Sequence, residues 1–171
     1  MDAFPEHTIH FSGLKDGAHR FTYELDDAFF KATEQEEFVG GKVAVTVDLD
    51  KNLHLLVCRI HVQGSVQVHC DHCNGLMDCP VNGDQRQIFT LTGEEGDEGD
   101  EELVSLATDA HEVNLTHYFF ECISLHMPAR RIHPAGQCDP EVDKALAQIN
   151  VEHEPVADPR WAALNALKNK S

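Results

Sequence analysis

The sequence predicts an α+β fold in which an antiparallel β-sheet of about five to six strands is packed by a helix. Three observations support this prediction. Apolar and polar residues alternate from position 43 to 49, as they do in a half-buried strand. Turn-forming residues separate this stretch from other alternating stretches before and after it. Later in the chain Leu115, Phe119 and Ile123 recur every four residues, as on one face of a helix.

The length of the chain sets the expected number of domains. It has 171 residues, of which 42% are hydrophobic. A chain of this size can bury about 70% of its unfolded surface and therefore needs no disulfides to form a core. We expect one domain over residues 1–171.

The first forty residues predict two short strands and a short helix. Residues 8–11 and 19–25 alternate well enough for strands, and the turn-like residues 12–17 join them. Asp26-Asp27 can cap the helix that follows, and Gly40-Gly41 ends this part of the chain.

The middle of the chain predicts the centre of the sheet. Residues 50–52 form a hairpin loop between the strand at 43–49 and its partner at 53–62, and after an interruption at Gly64 the alternation resumes up to Cys70. Asn82-Gly83 is a type I′ hairpin signal and predicts a further pair of strands that ends at residues 88–91. The predicted core includes Val45, Val47, Leu55, Val57, Phe119 and Ile123.

The last third predicts a loop and then helices. Seven of the nine residues 94–102 are acidic and the other two are glycine, which is typical of a solvated, mobile loop. Asn114 can cap a helix that extends to His126, packs on the sheet and is stopped by Pro128. The pairs Asp139-Pro140 and Asp158-Pro159 each predict the start of a C-terminal helix.

The net charge of −17 restricts the possible partners. Nucleic-acid affinity comes mostly from Lys and Arg that displace counterions, so this charge argues against a broad RNA-binding surface, and any RNA contact must be local or indirect. The field of an acidic protein would attract a basic protein partner. Solubility alone is the other explanation of the charge. The sequence has no apolar stretch long enough to span a membrane, and it does not start with the basic and then apolar residues of a signal peptide. This predicts a cytoplasmic protein without membrane contact.

A zinc site is predicted from four spaced residues. Cys70 and Cys73 form a CxxC at the end of a predicted strand, followed by Asn-Gly, and this is the setting of a metal knuckle. His133 and Cys138, in a loop between two helices, are the best candidates for the other two ligands. The result would be a structural Cys₃His zinc site.

Other roles for the cysteines and for nearby histidines stay open at this point. The six thiols can be free of metal, and the CxxC can be a redox centre, although such centres usually begin a helix. Cys79, His69 and His72 are also near, but at most one of them could join Cys70 and Cys73. Cys58 and Cys122 are expected to be small core residues.

Enzyme signatures are missing from the sequence. It contains no GxSxG, HExxH, phosphate-binding glycine loop or dinucleotide fingerprint. Cys122 and His126 lie four residues apart and could share a helix face as a nucleophile pair. The alternative to a binding protein is therefore a thiol-dependent redox or hydrolytic enzyme that uses the CxxC or Cys122.

The order of these features resembles the YceD family, the large ribosomal RNA subunit accumulation proteins. The resemblance covers nearly the whole chain, and its most specific part is the CxxC followed about fifty residues later by a helix that ends in Leu125-His126-Met127-Pro128. In the family a Cys pair commonly follows this proline, whereas here His133 stands where the first Cys is expected. Histidine is also a zinc ligand.

The resemblance implies a non-enzymatic cytoplasmic factor in the accumulation or processing of large-subunit (23S) ribosomal RNA, with no small-molecule substrate. Its expected partner is this RNA or a basic ribosomal protein. Arg130 and Arg131 are the candidate contacts, together with the basic residues of the C-terminal tail. The two arginines can equally be a solvated helix end.

Overall fold

The computed structural model, which describes residues 4–32, 37–91 and 103–149, contains two sheets. The small antiparallel sheet pairs β1 with β7. The large sheet has five strands in the order β2-β3-β4-β5-β6. The strands are β1 (Thr8–Ile9), β2 (Gly17–Leu25), β3 (Gly40–Lys51), β4 (Leu55–His69), β5 (Leu76–Thr90), β6 (Leu103–Ser105) and β7 (Val113–Asn114).

The predicted α+β class is confirmed, but the large sheet is mixed rather than purely antiparallel. Strands β2 to β5 pair antiparallel with their neighbours, whereas β6 runs parallel to β5. The chain leaves β5 after Thr90 and re-enters the sheet with Leu103 beside Ile88. From there β6 runs in the same direction as β5, and Ser105 lies beside Thr90. The twelve residues 91–102 between the two strands are enough for the connection that a parallel pair requires.

Two predicted hairpins are wrong. β1 does not pair with β2: it pairs with β7, far along the chain, through Thr8 with Asn114 and Ile9 with Val113. The Asn82-Gly83 pair is not a turn either, because it lies inside the continuous strand β5, where Gly83 pairs with Val62. Gly64 likewise lies within β4 and does not interrupt it.

One face of the large sheet is the core face. Val45 and Val47 of β3 are buried there, as predicted, but the predicted residues of β4 are off by one. Leu55 and Val57 are only half-buried on the opposite face, while Leu56, Cys58 and Ile60 are buried. The first half of β4 is apolar on both faces, so its hydrophobic pattern alone does not show which face is inside.

Two helices cover the core face. They are α1 (Asp27–Ala32) and α2 (Thr116–Leu125), and α2 buries Phe119 and Ile123 as predicted. The Asp26 carboxylate accepts from the Ala28 N–H at 2.9 Å, and the Asn114 side-chain oxygen accepts from the Thr116 N–H at 3.0 Å. Asp26 therefore caps α1 as predicted. Asn114 lies one residue before the N-cap position of α2, which is Leu115, and its side chain bonds the first N–H of the helix.

The third helix, α3 (Pro140–Ile149), has no buried residue among those described. Its start is capped by Asp139, whose carboxylate accepts from the Glu141 N–H at 2.9 Å. No helix in residues 4–32, 37–91 and 103–149 is long and apolar enough to cross a membrane. The predicted acidic loop at 94–102 and the predicted helix that starts at Asp158 lie outside the described residues.

The opposite face of the large sheet is covered by no described element. The side chains of β2 to β5 that point away from the core are exposed or half-buried, and most are polar or charged. The described part of the protein therefore has one covered face and one open face.

Candidate metal centre

The CxxC forms the tip of the long hairpin between β4 and β5. His69 ends β4 and pairs with Leu76, which begins β5, so residues 70–75 make the whole turn. The Cys70 N–H donates to the Gly75 carbonyl at 2.8 Å, and the Asn74 N–H donates to the Cys70 carbonyl at 2.8 Å. Asn74 has a φ of 56°, a left-handed conformation that Asn tolerates better than most residues. The turn places both cysteines on the inside of a tight loop.

Hydrogen bonds join this tip to the segment that follows α2. The Asp71 N–H donates to the Arg131 carbonyl at 2.7 Å, and the Arg131 N–H donates to an Asp71 carboxylate oxygen at 2.6 Å. The Arg131 guanidinium also contacts Glu37 at 2.7 Å. This clamp fixes the chain two residues before His133. It was not predicted, because nothing in the local sequence pairs Asp71 with Arg131.

The structure brings together the four predicted ligands Cys70, Cys73, His133 and Cys138. Their sulfur and nitrogen atoms all lie within 4.8 Å of one another. The Sγ atoms of Cys70 and Cys138 are 3.9 Å apart, and the Nδ1 atom of His133 lies 3.3 Å from Cys73 Sγ and 3.8 Å from Cys138 Sγ. All four residues come from two loops separated by about sixty residues of sequence.

These distances match the requirements of a tetrahedral zinc ion. Zn–S bonds of about 2.3 Å and a Zn–N bond of about 2.05 Å place sulfurs about 3.8 Å apart and sulfur about 3.6 Å from nitrogen. The three separations given above, 3.3 to 3.9 Å, scatter around these values, and all four atoms lie within 4.8 Å of one another. A disulfide would need sulfurs at about 2.05 Å, and all described cysteines are free thiols. The cluster therefore suits a metal ion better than a disulfide.

The ring of His133 is oriented for a role as a ligand. Its Nε2–H donates to the Leu76 carbonyl at 3.2 Å. With the proton on Nε2, the Nδ1 lone pair faces the three sulfurs. A hydrogen bond from the other ring nitrogen is the usual way in which a protein orients a metal-binding histidine.

The protonation of the cluster also favours a cation. Burial raises the pKa of the Cys70 thiol, but hydrogen bonds from the backbone N–H groups of Cys73, His72 and His133 outweigh burial and lower that pKa to about 6. Burial and the nearby sulfurs of Cys73 and Cys70 raise the pKa of Cys138 to about 11. Backbone N–H groups of Gly75 and Asp139 also lower the pKa of the Cys73 thiol. The cluster therefore favours thiolates at Cys70 and Cys73, whereas a thiolate at Cys138 needs a positive ion to balance it.

The other nearby candidates do not join this cluster. His72 points to Asp143 with Nδ1 at 3.4 Å from the carboxylate, and Nδ1 of His69 lies 3.0 Å from the Asn74 carbonyl. Cys79 is buried within the hydrophobic core, and burial raises the pKa of its thiol. Among the described residues, these three side chains are thus held away from the four predicted ligands.

The second candidate pair, Cys122 and His126, does not form an activated nucleophile. Cys122 is completely buried, and this burial raises the pKa of its thiol to about 12. The Nδ1–H of His126 donates to the Cys122 carbonyl at 2.8 Å and lies 4.0 Å from the Cys122 sulfur. The nitrogen nearest the thiol is thus engaged with the backbone and is not placed as a general base.

The two candidate contact arginines differ in their surroundings. Arg130 is exposed, whereas the side chain of Arg131 is half-buried in its contacts with Glu37 and Asp71. Their assignment as RNA or protein contacts stays a prediction.

The comparisons with known proteins gave one match. The family model described as Large ribosomal RNA subunit accumulation protein YceD matches residues 58–168, which include all four residues of the cluster. Neither the curated proteins nor the solved structures gave a significant match.

Proposed function

This chain belongs to the YceD family, and we propose that it is a non-enzymatic factor in the accumulation or processing of large-subunit (23S) ribosomal RNA. The match to residues 58–168 carries the proposal, because the family description names large-subunit RNA accumulation. The chain would act in the cytoplasm as a single-domain binding protein in ribosome biogenesis.

The cluster of Cys70, Cys73, His133 and Cys138 would hold a structural zinc ion in this protein. The proposal is supported by the tetrahedral spacing of the four atoms and by the orientation of the His133 ring. Four protein ligands leave no open position, as in structural rather than catalytic zinc sites. When bound, zinc would tie the β4–β5 hairpin to the segment that precedes α3.

The partner would be large-subunit ribosomal RNA or a basic ribosomal protein. The charge of −17 favours a basic protein over a wide RNA surface, and the acidic residues 94–102 are the part of the sequence best suited to attract one. Arg130 is exposed and remains a candidate for a local contact.

Deletion of the gene in its host tests this function. We expect a lower ratio of large-subunit to small-subunit ribosomal RNA, and we expect the tagged protein to sediment with large-subunit precursors. Complementation with Cys73→Ser should fail or be weak, whereas His72→Ala, which changes the same loop outside the cluster, should restore the ratio. An unchanged RNA ratio together with protein that stays at the top of the gradient would contradict the proposal.

The same strains separate this function from the thiol-dependent enzyme. Since Cys122 lies outside the zinc cluster, a binding protein should tolerate Cys122→Ala if the variant still folds. Loss of ribosomal RNA by a folded, precursor-bound Cys122→Ala variant would favour the enzyme instead.

A further inference from the structure

Three of the six arginines of the chain lie in one line across the open face of the large sheet. Arg20 of β2 pairs with Asp48 of β3, Asp48 pairs with Arg59 of β4, and Arg59 pairs with Arg86 of β5. Directly paired residues point to the same face of a sheet, and all three arginines are exposed. The line crosses four strands and is about 14 Å long. We call these three residues the arginine row.

The positive charge of the arginine row is only partly neutralised. Arg20 forms a two-pronged contact with Asp48, at 2.6 and 2.9 Å. Arg59 and Arg86 make no ion pair with any residue in 4–32, 37–91 or 103–149. They are direct cross-strand neighbours, and like charges in that arrangement repel each other. Asp48, which lies opposite Arg59, is engaged by Arg20, so an anion that bridges Arg59 and Arg86 would relieve their mutual repulsion.

The surroundings of the row indicate which anion. A shallow depression of about 560 Å³ lies beside it, and its charged lining residues are Arg20, Arg59, Asp48 and Asp50. The open face carries no Phe, Tyr or Trp on β2 to β5, so it lacks the large aromatic side chains on which bases most often stack. Guanidinium groups bind phosphate through paired N–H donors. Arg59 and Arg86 are therefore suited to bind phosphate groups.

We infer that the arginine row binds backbone phosphates of large-subunit ribosomal RNA, with Arg59 and Arg86 as the principal contacts. The inference rests on the proposed function and specifies a direct RNA contact on this face. A narrow row is compatible with the acidic character of the whole chain, because only a few counterions are displaced. RNA that touches this face would leave the metal cluster at the hairpin tip free for its structural role.

The test compares two variants that remove the same charge. Arg59→Gln/Arg86→Gln removes the principal contacts, and Lys31→Gln/Lys144→Gln removes two exposed positive charges on α1 and α3. The probe is in vitro transcribed large-subunit ribosomal RNA, with binding measured over a series of salt concentrations. Wild-type affinity should fall with salt with a log–log slope of about 2, as expected for three phosphate contacts on a single strand.

The arginine variant should bind more weakly and should lose about 0.7 unit of this slope for each contact removed, about 1.4 units in total, while the lysine variant should behave like wild type. The melting temperature of the arginine variant should not fall, because its substitutions remove the repulsion between Arg59 and Arg86. Equal affinity and slope for the arginine variant and wild type would overturn the inference, and so would the absence of RNA binding by wild-type protein.

Sedimentation of the same proteins with large-subunit precursors distinguishes the inference from the function on which it rests. If wild type sediments with precursors but the arginine variant binds RNA normally, the arginine row is not the RNA-binding site, and the proposed function stands. If the arginine variant leaves the precursors yet binds naked RNA like wild type, the row contacts a protein, and the RNA assignment is wrong. Wild type that neither sediments with precursors nor affects ribosomal RNA levels would remove the proposed function itself.

Discussion

The imidazole of His126, at the end of α2, lies directly over Gly83 in the middle of β5. A Cβ atom at residue 83 would overlap the ring. A glycine inside a strand often marks such a close approach of another group. The contact sets how closely the end of α2 can approach the sheet.

Substitution of Gly83 by Ala should destabilise the protein by about 1 to 3 kcal/mol, because the added methyl group forces the helix end or the ring to move. The free energy of unfolding in urea measures this effect. Removal of the ring in Gly83→Ala/His126→Ala should recover much of the loss, since the obstacle is a side chain. A Gly83→Ala variant as stable as wild type would show that the helix end moves without cost.

Gly64 provides the contrast, because there the obstacle is backbone. A Cβ at residue 64 would collide with the Lys42 carbonyl and would lie 2.7 Å from the Val43 Cα on the neighbouring strand β3. No single side-chain deletion removes this obstacle. The loss for Gly64→Ala should therefore persist when His126 is also replaced.

Phe119 is expected to be the main anchor of α2. Its side chain is completely buried, with its ring 5.2 Å from the ring of His7 and 5.1 Å from that of Tyr23. Phe119→Ala should lower the free energy of unfolding by roughly 3 to 5 kcal/mol. Leu125→Ala in the same helix is the control: Leu125 is 67% exposed, so its loss should change stability by no more than about 0.5 kcal/mol. Equal effects of the two substitutions would contradict the proposed packing.

The sequence predicted elements whose signals are local. Strand β3 and helix α2 each combine a clear period with a cap or a turn, and both were confirmed. The prediction failed where the deciding contact is distant in sequence. Asn82-Gly83 resembles a turn, yet Gly83 is required by a helix end more than forty residues later. The pairing of β1 with β7 and the parallel entry of β6 have no local signal either.

The candidate site shows the same division. The CxxC and its strand-end position could be read from the sequence, and the spacing of His133 and Cys138 made them reasonable partners. The contacts that hold the two halves together are the Asp71–Arg131 clamp and the Leu76 carbonyl. They depend on the folded arrangement of two loops and could not be predicted from residue types alone.

Stability should depend on pH through His7. This residue is buried among the rings of Phe4, Tyr23, Phe29 and Phe119, and its Nδ1 atom lies 3.1 Å from the Thr116 hydroxyl. Burial lowers the pKa of the imidazole from 6.5, although Glu6 opposes the shift. His7 therefore binds a proton more readily in the unfolded chain than in the folded one. The free energy of unfolding falls as the pH falls below the pKa of His7 in the unfolded chain.

The His7 contribution should be complete above a pH of about 6.5 and should be lost as the pH falls from there through the lowered folded pKa. Unfolding free energies measured at about pH 7.5 and about pH 5.5 should differ less in His7→Gln than in wild type. Both proteins contain the same Cys/His cluster, so the comparison cancels acid effects on those four residues. The same pH dependence in both proteins would show that His7 is not the responsible group.

The cluster of Cys70, Cys73, His133 and Cys138 gives the most direct measurement. Protein purified without added metal should contain about one zinc ion per chain by elemental analysis, and a chelator should lower its melting temperature. Cys73→Ser and His133→Ala should each lose the metal, because a tetrahedral site with three remaining ligands binds zinc much more weakly. His72→Ala should retain it, since His72 lies in the same turn but contacts Asp143. Arg131 and Asp71 bridge the same two loops without metal. The chelated protein should therefore keep its sheet, and amide hydrogen exchange should show faster exchange only in residues 133–149.

Metal-free wild-type protein whose melting temperature equals that of Cys73→Ser would contradict the zinc site. The three thiols and the imidazole would then be held together by the fold alone.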